Sequence, residues 1–311
     1  MSDETLKIKT IVVGIDFTSA SDLALLYAER FAIHTGAKLL LVHVVDPAKV
    51  SPDEMDAHLA LHDIIDSAKT DMQKTWAEVA GRGVEGSWIV RHGNVRDMIL
   101  DAVQNNHADL MVLGSKGMAL TGGSRFGTVA EQLVRAAPCP VLTVVPESRW
   151  QELENNHRRL LLIPTDFSAA SDAAFLYALE FAKSTGGSLL LVHAVEEELA
   201  VEPIPAKLEY LRAEDMRTLL ASAHAVHVEA ESMLRVGDAT EIILEVARER
   251  KADYIVMGVR GGDQVDGTRL HGKVQDLMHR SPCPIFSIYL RKSTKTSSRK
   301  RETTETQSIS R

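Results

Sequence analysis

Two hydrophobic periods alternate along the chain. TIVVGID (10–16) is an unbroken apolar, β-branched run, the pattern of a strand buried on both faces. Behind it Ala24, Leu25, Ala28, Phe31 and Ala32 recur at helical spacing, with Ser19 or Ser21 plus Asp22 as the helix start and Gly36 as its stop. AKLLLVHVV then reads as a strand, 53–80 as a long polar helix, SWIVRHG as a strand and 95–106 as a helix. ADLMVLG, a glycine-rich loop, a helix over 126–136 and the strand CPVLTVV complete the series. This β–α alternation predicts a parallel, doubly wound α/β sheet with helices on both faces.

The series occurs twice. Residues 11–45 match 161–195 without a gap, and 19 of the 35 positions are identical. Residues 90–117 pair with 234–261 at a slightly shorter spacing, and APCPVLTVV (137–145) pairs with SPCPIFSIY (281–289) at that same spacing. The change of spacing puts one deletion between Val195 and Leu234. The predicted organisation is a first repeat over 1–148, a polar join, a second repeat over 157–290, and a tail over 291–311.

Charge narrows the partners. The net charge is −8, but the last 21 residues hold seven Lys/Arg and two Glu, so the body before them carries −13. An acidic body lacks the footprint of a general nucleic-acid binder. The tail has almost no apolar residues and is expected to be a disordered, solvated basic segment, able to meet an anionic partner or accept phosphate on a serine. No apolar run approaches the roughly 18 residues that span a bilayer. The start MSDETLKIKT lacks the apolar core of a secretory signal, and two cysteines, Cys139 and Cys283, are too few for a disulfide framework. A reducing, cytoplasmic location is the expectation.

The chemistry concentrates in GSKGMALTGGSRFGTVAEQL (114–133). Neither the P-loop spacing nor GxGxxG fits it. What fits is Gly114-x2-Gly117-x9-Gly127-Thr128, between a strand and a helix. Bare N–H groups at such glycines, and a helix start at Gly127 and Thr128, suit an anion. Lys116 and Arg125 are nearby cations, and Asp16 and Val44 stand at the carboxyl ends of the first two strands, where ligands of doubly wound sheets sit.

With IDFTSASD, LVHVV and APCPVLTVV, this glycine spacing resembles the universal stress proteins, in both copies and over essentially 6–290. The resemblance implies two tandem flavodoxin-like (adenine nucleotide alpha hydrolase-like) units, each a five-stranded parallel sheet. It also implies that the first repeat binds ATP, with or without Mg²⁺, in a nucleotide-responsive regulatory module of the stress response that contacts an unidentified protein partner. By position, Asp16 would accept from adenine or hold its pocket, Val44 would offer adenine a backbone contact, and Gly114, Gly117, Gly127 and Thr128 would hold ribose and phosphates. No catalytic set stands out, so hydrolysis is expected to be slow at most. A nucleotide-independent adaptor and a slow ATPase remain the alternatives. In this family the closing strands commonly meet at the subunit interface, so the resemblance also implies that Val141–Val145 and Ile285–Leu290 pair within the chain and that two chains form a homodimer.

The second copy departs. Gly258 and Gly261 survive, but ungapped pairing puts His271 for Gly127, Gly272 for Thr128 and Ala194 for Val44, and Asp263 and Asp266 add charge that repels phosphate. That site is expected to be weakened or to take another ligand. GTRLHGKV (267–274) imitates a P-loop but lacks the closing Ser/Thr. His43 and His193 read as hydrogen-bonded histidines beside the sheet ahead of metal or catalytic ones. His58, His62 and Asp66 read as a solvated helix face ahead of a metal site.

Overall fold

A computed structural model describes residues 7–49, 57–115, 128–146, 148, 158–195, 206–259 and 272–289. Gly117, Gly127 and most of the glycine-rich loop, its counterpart in the second copy, and the tail over 291–311 lie outside the described residues. Among the described residues, no helix is long and apolar enough to cross a membrane.

The first repeat runs β1 (Thr10–Ile15), α1 (Ser19–Thr35), β2 (Lys38–Val45), α2 (Ala57–Gly81), β3 (Gly86–His92), α3 (Val95–Asn105), β4 (Leu110–Gly114), α4 (Thr128–Ala136) and β5 (Val141–Val144). The second runs β6 (Leu160–Pro164), α5 (Ala169–Thr185), β7 (Ser188–Val195), α6 (Ala206–Ala225), β8 (Ala230–Val236), α7 (Ala239–Glu249), β9 (Tyr254–Val259), α8 (Gly272–Arg280) and β10 (Ile285–Tyr289). All pairings within a repeat are parallel, in the orders β3-β2-β1-β4-β5 and β8-β7-β6-β9-β10. Each repeat is therefore the five-stranded parallel α/β unit that the alternation predicts. Helix α8 begins and ends at the positions that ungapped pairing assigns to α4, so Gly272 stands where Thr128 stands.

Strand periodicity divides the core. Ile11, Val13 and Ile15 face the layer holding Leu25, Phe31 and Met72, while Val12 faces the layer holding Ile99, Leu133 and Val134. Both faces are covered by helices, which is why β1 and β4 are buried on both faces over most of their length and read as continuous apolar runs rather than alternating ones.

The two half-sheets become one ten-stranded sheet through β5 and β10, which pair antiparallel with Val141 opposite Ser287, Leu142 opposite Phe286 and Thr143 opposite Ile285. These are the closing segments expected to pair within the chain. Over the seam lies an aromatic cluster. Phe286 packs 5.9 Å from Phe31, 5.5 Å from Phe181, 5.4 Å from Tyr254 and 5.5 Å from Tyr177, between ring centroids. Phe31 and Phe181 are equivalent residues of α1 and α5 and touch at 5.6 Å. Repeat two supplies Tyr254 and Phe286 where repeat one has Leu110 and Leu142, so the cluster that joins the halves is built mainly from the second copy.

One buried charge separates the copies. Glu29 of α1, with a side chain only 5% exposed, accepts two bonds from Arg82, each 2.7 Å, at the end of α2. Leu179 and Val226 occupy these positions in repeat two. The second copy thus shows that the site tolerates apolar residues, and a buried pair is worth little more than well-packed hydrophobes of similar volume. Glu29→Ala, which leaves Arg82 without its carboxylate, should cost about 2 kcal/mol, less than for a fully buried pair because Arg82 is partly solvated. The double change Glu29→Leu with Arg82→Val should recover most of that loss in denaturant unfolding. A double variant as unstable as the single one would overturn this account.

Candidate functional site

Strand β1 lies between β2 and β4, so the strand order reverses on either side of it and the crevice of a doubly wound sheet opens at its carboxyl end. The ladder between β1 and β2 ends at Ile15 opposite His43. Asp16 and Val44 are the next residues of their strands, both half-buried. Gly114 closes β4 at the same end of the sheet, opposite Val144. Thr128 is the first residue of α4. Asp16, Val44 and Gly114 therefore come to one end of the sheet.

The chain leaves β1 by an unusual step. Phe17 sits at φ 59°, a left-handed conformation that is costly for a bulky side chain. Phe167 repeats it at φ 58°. A dense turn network compensates. The Thr18 N–H donates to Asp16 Oδ1 at 3.1 Å, and the Thr18 hydroxyl donates to the same oxygen at 2.5 Å. Thr18 Oγ1 accepts from the Ser21 N–H at 3.4 Å, the Ser21 hydroxyl donates to the Thr18 carbonyl at 2.9 Å, and Ser21 Oγ accepts from the Asp16 N–H at 3.3 Å. Thr18 and Ser21 thus form a capping box. The helix starts at Ser19, one of the two serines expected, and its N-cap is Thr18, because the left-handed Phe17 has already swung the chain into the cap. Asp22 is an exposed residue of the first turn.

His43 supports this turn from β2. Its Nδ1 lies 2.8 Å from the Ile15 carbonyl, which can only accept, so Nδ1 carries the hydrogen. Its ring packs on Phe17, with centroids 4.6 Å apart. Burial lowers the His43 pKa, against smaller opposing effects of the Ile15 carbonyl, Asp16 and Asp71. Burial, then Asp16 and Glu78, raise that of Asp22. Asp22, Asp71 and Glu78 thus place carboxylates on the α1–α2 side of this turn, Asp71 with Lys74 3.6 Å away. An anion is disfavoured there, the more so because the α1 N-terminus is already capped by its own chain.

Gly114 has a role that its spacing does not reveal. A Cβ on it would lie 2.7 Å from the carbonyl carbon and oxygen of Ala20. Gly258 would meet the Ala170 oxygen at 2.0 Å. Both glycines let the first turn of the helix after the first strand (α1 or α5) lie against the end of the fourth strand, and this accounts for the survival of Gly258 without appeal to a ligand.

Repeat two keeps the frame and alters its details. His193 Nδ1 lies 2.7 Å from the Thr165 carbonyl, and its ring is 4.7 Å from Phe167. The Ser168 N–H donates to Asp166 Oδ1 at 3.0 Å, but Asp166 is exposed where Asp16 is half-buried. Elsewhere, Cys139 and Cys283 are buried thiols outside any disulfide. His62 and Asp66 pair on an exposed face with Lys69, and among the described residues no three metal-ligating side chains cluster. Phe17, Thr18 and Ser21 were missed as site residues by pattern reading. The signal was there: Asp-Phe and the serine four residues after the phenylalanine persist in both copies while the residues before them differ.

A family model described as "Universal stress protein family" matches residues 7–145 and again 157–288. A universal stress protein of Mycobacterium tuberculosis is 28% identical over 197 residues, 63% of this chain and 68% of its own. One of Mycolicibacterium smegmatis is 26% identical over 290 residues, 89% and 96% of the two chains. The crystal structure of a universal stress protein of Archaeoglobus fulgidus superposes with a TM-score of 0.72, covering 92% of this chain and 99% of that one. At 20% identity, this likeness speaks to the fold alone.

Two outcomes are expected. Gly114→Ala and Gly258→Ala should each destabilise by about 1–3 kcal/mol, the usual range for forced overpacking, and chemical denaturation of the two variants checks it. The His43 imidazole takes up its proton less readily folded than unfolded. Below its ordinary value of 6.5 the unfolded chain binds the proton first, so stability should decline as pH falls through that value and be complete above it. His43→Asn, which keeps a donor for Ile15, should flatten the pH dependence of unfolding.

Proposed function

Since the chain belongs to the universal stress protein family, as a tandem of two units, we propose that its first repeat binds ATP and that the occupied state biases contacts with a protein partner. The observation that carries this reading is the half-buried Asp16 carboxylate held by Thr18 at the switch point of the sheet. The base and ribose take the side of Asp16 and Val44. The phosphates take the other side, along Gly114, Gly117, Gly127 and Thr128, where the start of α4 offers N–H groups and its dipole. The carboxylates on the α1–α2 side favour this orientation over the reverse. Any Mg²⁺ arrives on the phosphates, as that ion is commonly held, rather than in a cage of protein ligands.

The units of this reading are the nucleotide-binding repeat over 1–148, the second repeat over 157–290 and the basic tail over 291–311, in a cytoplasmic protein. The second repeat serves mainly as architecture, because Gly272 replaces Thr128 at the helix start and Asp166 stands in solvent. A ligand shifts a conformational equilibrium only by its differential affinity for the two states. The glycine-rich loop is the segment whose arrangement the phosphates would bias.

The experiment is to denature the purified protein, assay for released adenine nucleotide, and follow thermal unfolding with added ATP. Carried-over nucleotide, or a rise in Tm that grows with ATP concentration, is expected. Gly117→Val should abolish the rise while leaving the ligand-free Tm near that of the wild type. An empty protein that ATP does not stabilise would favour the adaptor. Accumulation of ADP, abolished by Gly127→Asp, would favour the slow ATPase.

A further inference from the structure

The two oxygens of the Asp16 carboxylate are in unlike circumstances. Oδ1 takes both the N–H and the hydroxyl of Thr18, at 3.1 and 2.5 Å. Among the described residues no donor reaches Oδ2. The Thr18 side chain is itself fixed, because its oxygen also caps α1 by accepting from Ser21, and its β-methyl restricts χ1. The carboxylate is therefore oriented by a group that cannot rotate away without uncapping the helix. Phe17, pressed against His43, holds the backbone between them.

A carboxylate oxygen accepts hydrogen bonds and gives none. A base that presents an amine to it gains a charge-assisted bond, and a base with hydrogen at that ring position gains nothing. We infer that Thr18 is a positioning residue that presents Asp16 Oδ2 to the crevice as an acceptor for the 6-amino group of adenine. The inference rests on the reading that this crevice takes an adenine nucleotide. It also gives a reason for the difference between the copies. In repeat two Ser168 keeps the turn, its N–H bonding Asp166 Oδ1 and its Oγ accepting from the Ser171 N–H at 3.3 Å, and what changes is the exposure of the carboxylate. Asp166 is exposed to water, which weakens any one hydrogen bond that it makes.

The test compares two ligands on the full chain: ATP, and purine riboside triphosphate, which differs only in lacking the 6-amino group. Wild-type protein should prefer ATP by roughly tenfold to a hundredfold, the worth of one hydrogen bond to a charged group. Thr18→Val should bring the ratio of dissociation constants towards one, and Thr18→Ser should restore most of it. Glu29→Ala, which destabilises the same helix away from this turn, should leave the ratio unchanged. A purely structural role for Thr18 would weaken both ligands alike in Thr18→Val. If wild type binds neither triphosphate, the nucleotide reading fails and this inference with it. If both bind equally well, or Thr18→Val keeps the wild-type ratio, the inference falls while the nucleotide reading stands.

Discussion

The antiparallel pairing of β5 with β10 is the constraint on which the rest depends. A five-stranded half-sheet ending at β5 exposes one edge of unpaired backbone groups, and β10 supplies the same edge in the other half. Each edge satisfies the other. The aromatic cluster around Phe286 then excludes water from the join, so the two copies share a core and are expected to unfold together. The residues that do this come unequally from the two halves. Tyr254 and Phe286 have no aromatic counterparts in repeat one, so the second copy supplies the larger share of the join.

Within the first copy, three features converge on the turn after β1. Gly114 lets Ala20 approach the end of β4, Phe17 takes the left-handed step, and Thr18 ties the Asp16 carboxylate to the helix cap. None of these is costless. A bulky residue at positive φ costs of order 1 kcal/mol or more, and a glycine in a strand loses packing. Strain of this kind persists where the surroundings overdetermine it, and such places cluster at functional sites. That the same step recurs at Phe167 makes the frame a property of the fold. The difference lies in the side chains hung on it: Ile15, Thr18 and Val44 in one copy against Thr165, Ser168 and Ala194 in the other.

Most of the architecture was legible in the sequence, because apolar runs such as 11–15 and 110–113 and the internal duplication leave few alternatives once helices alternate with them. The seam came from the family resemblance rather than from the residues, since in that family the closing strands commonly meet at an interface, and the structure pairs them here within the chain. Thr18 was not, because Ser19 and Ser21 offer equally good capping chemistry, and only the backbone direction set by Phe17 chooses between them. The reason for Gly114 was also hidden. Its spacing fits a phosphate loop, whereas the contact that requires a missing side chain is with Ala20, distant in sequence. A one-dimensional pattern reports residue type and interval but not which backbone comes close.

The direction of the strands has one more consequence. Parallel strands within each half and an antiparallel join mean that the carboxyl ends of the two half-sheets face opposite ways. The two crevices open on opposite rims of the molecule, so no single small molecule can bridge them. A macromolecule that approaches one rim therefore meets the crevice of one copy alone, and the two faces can be read by different partners.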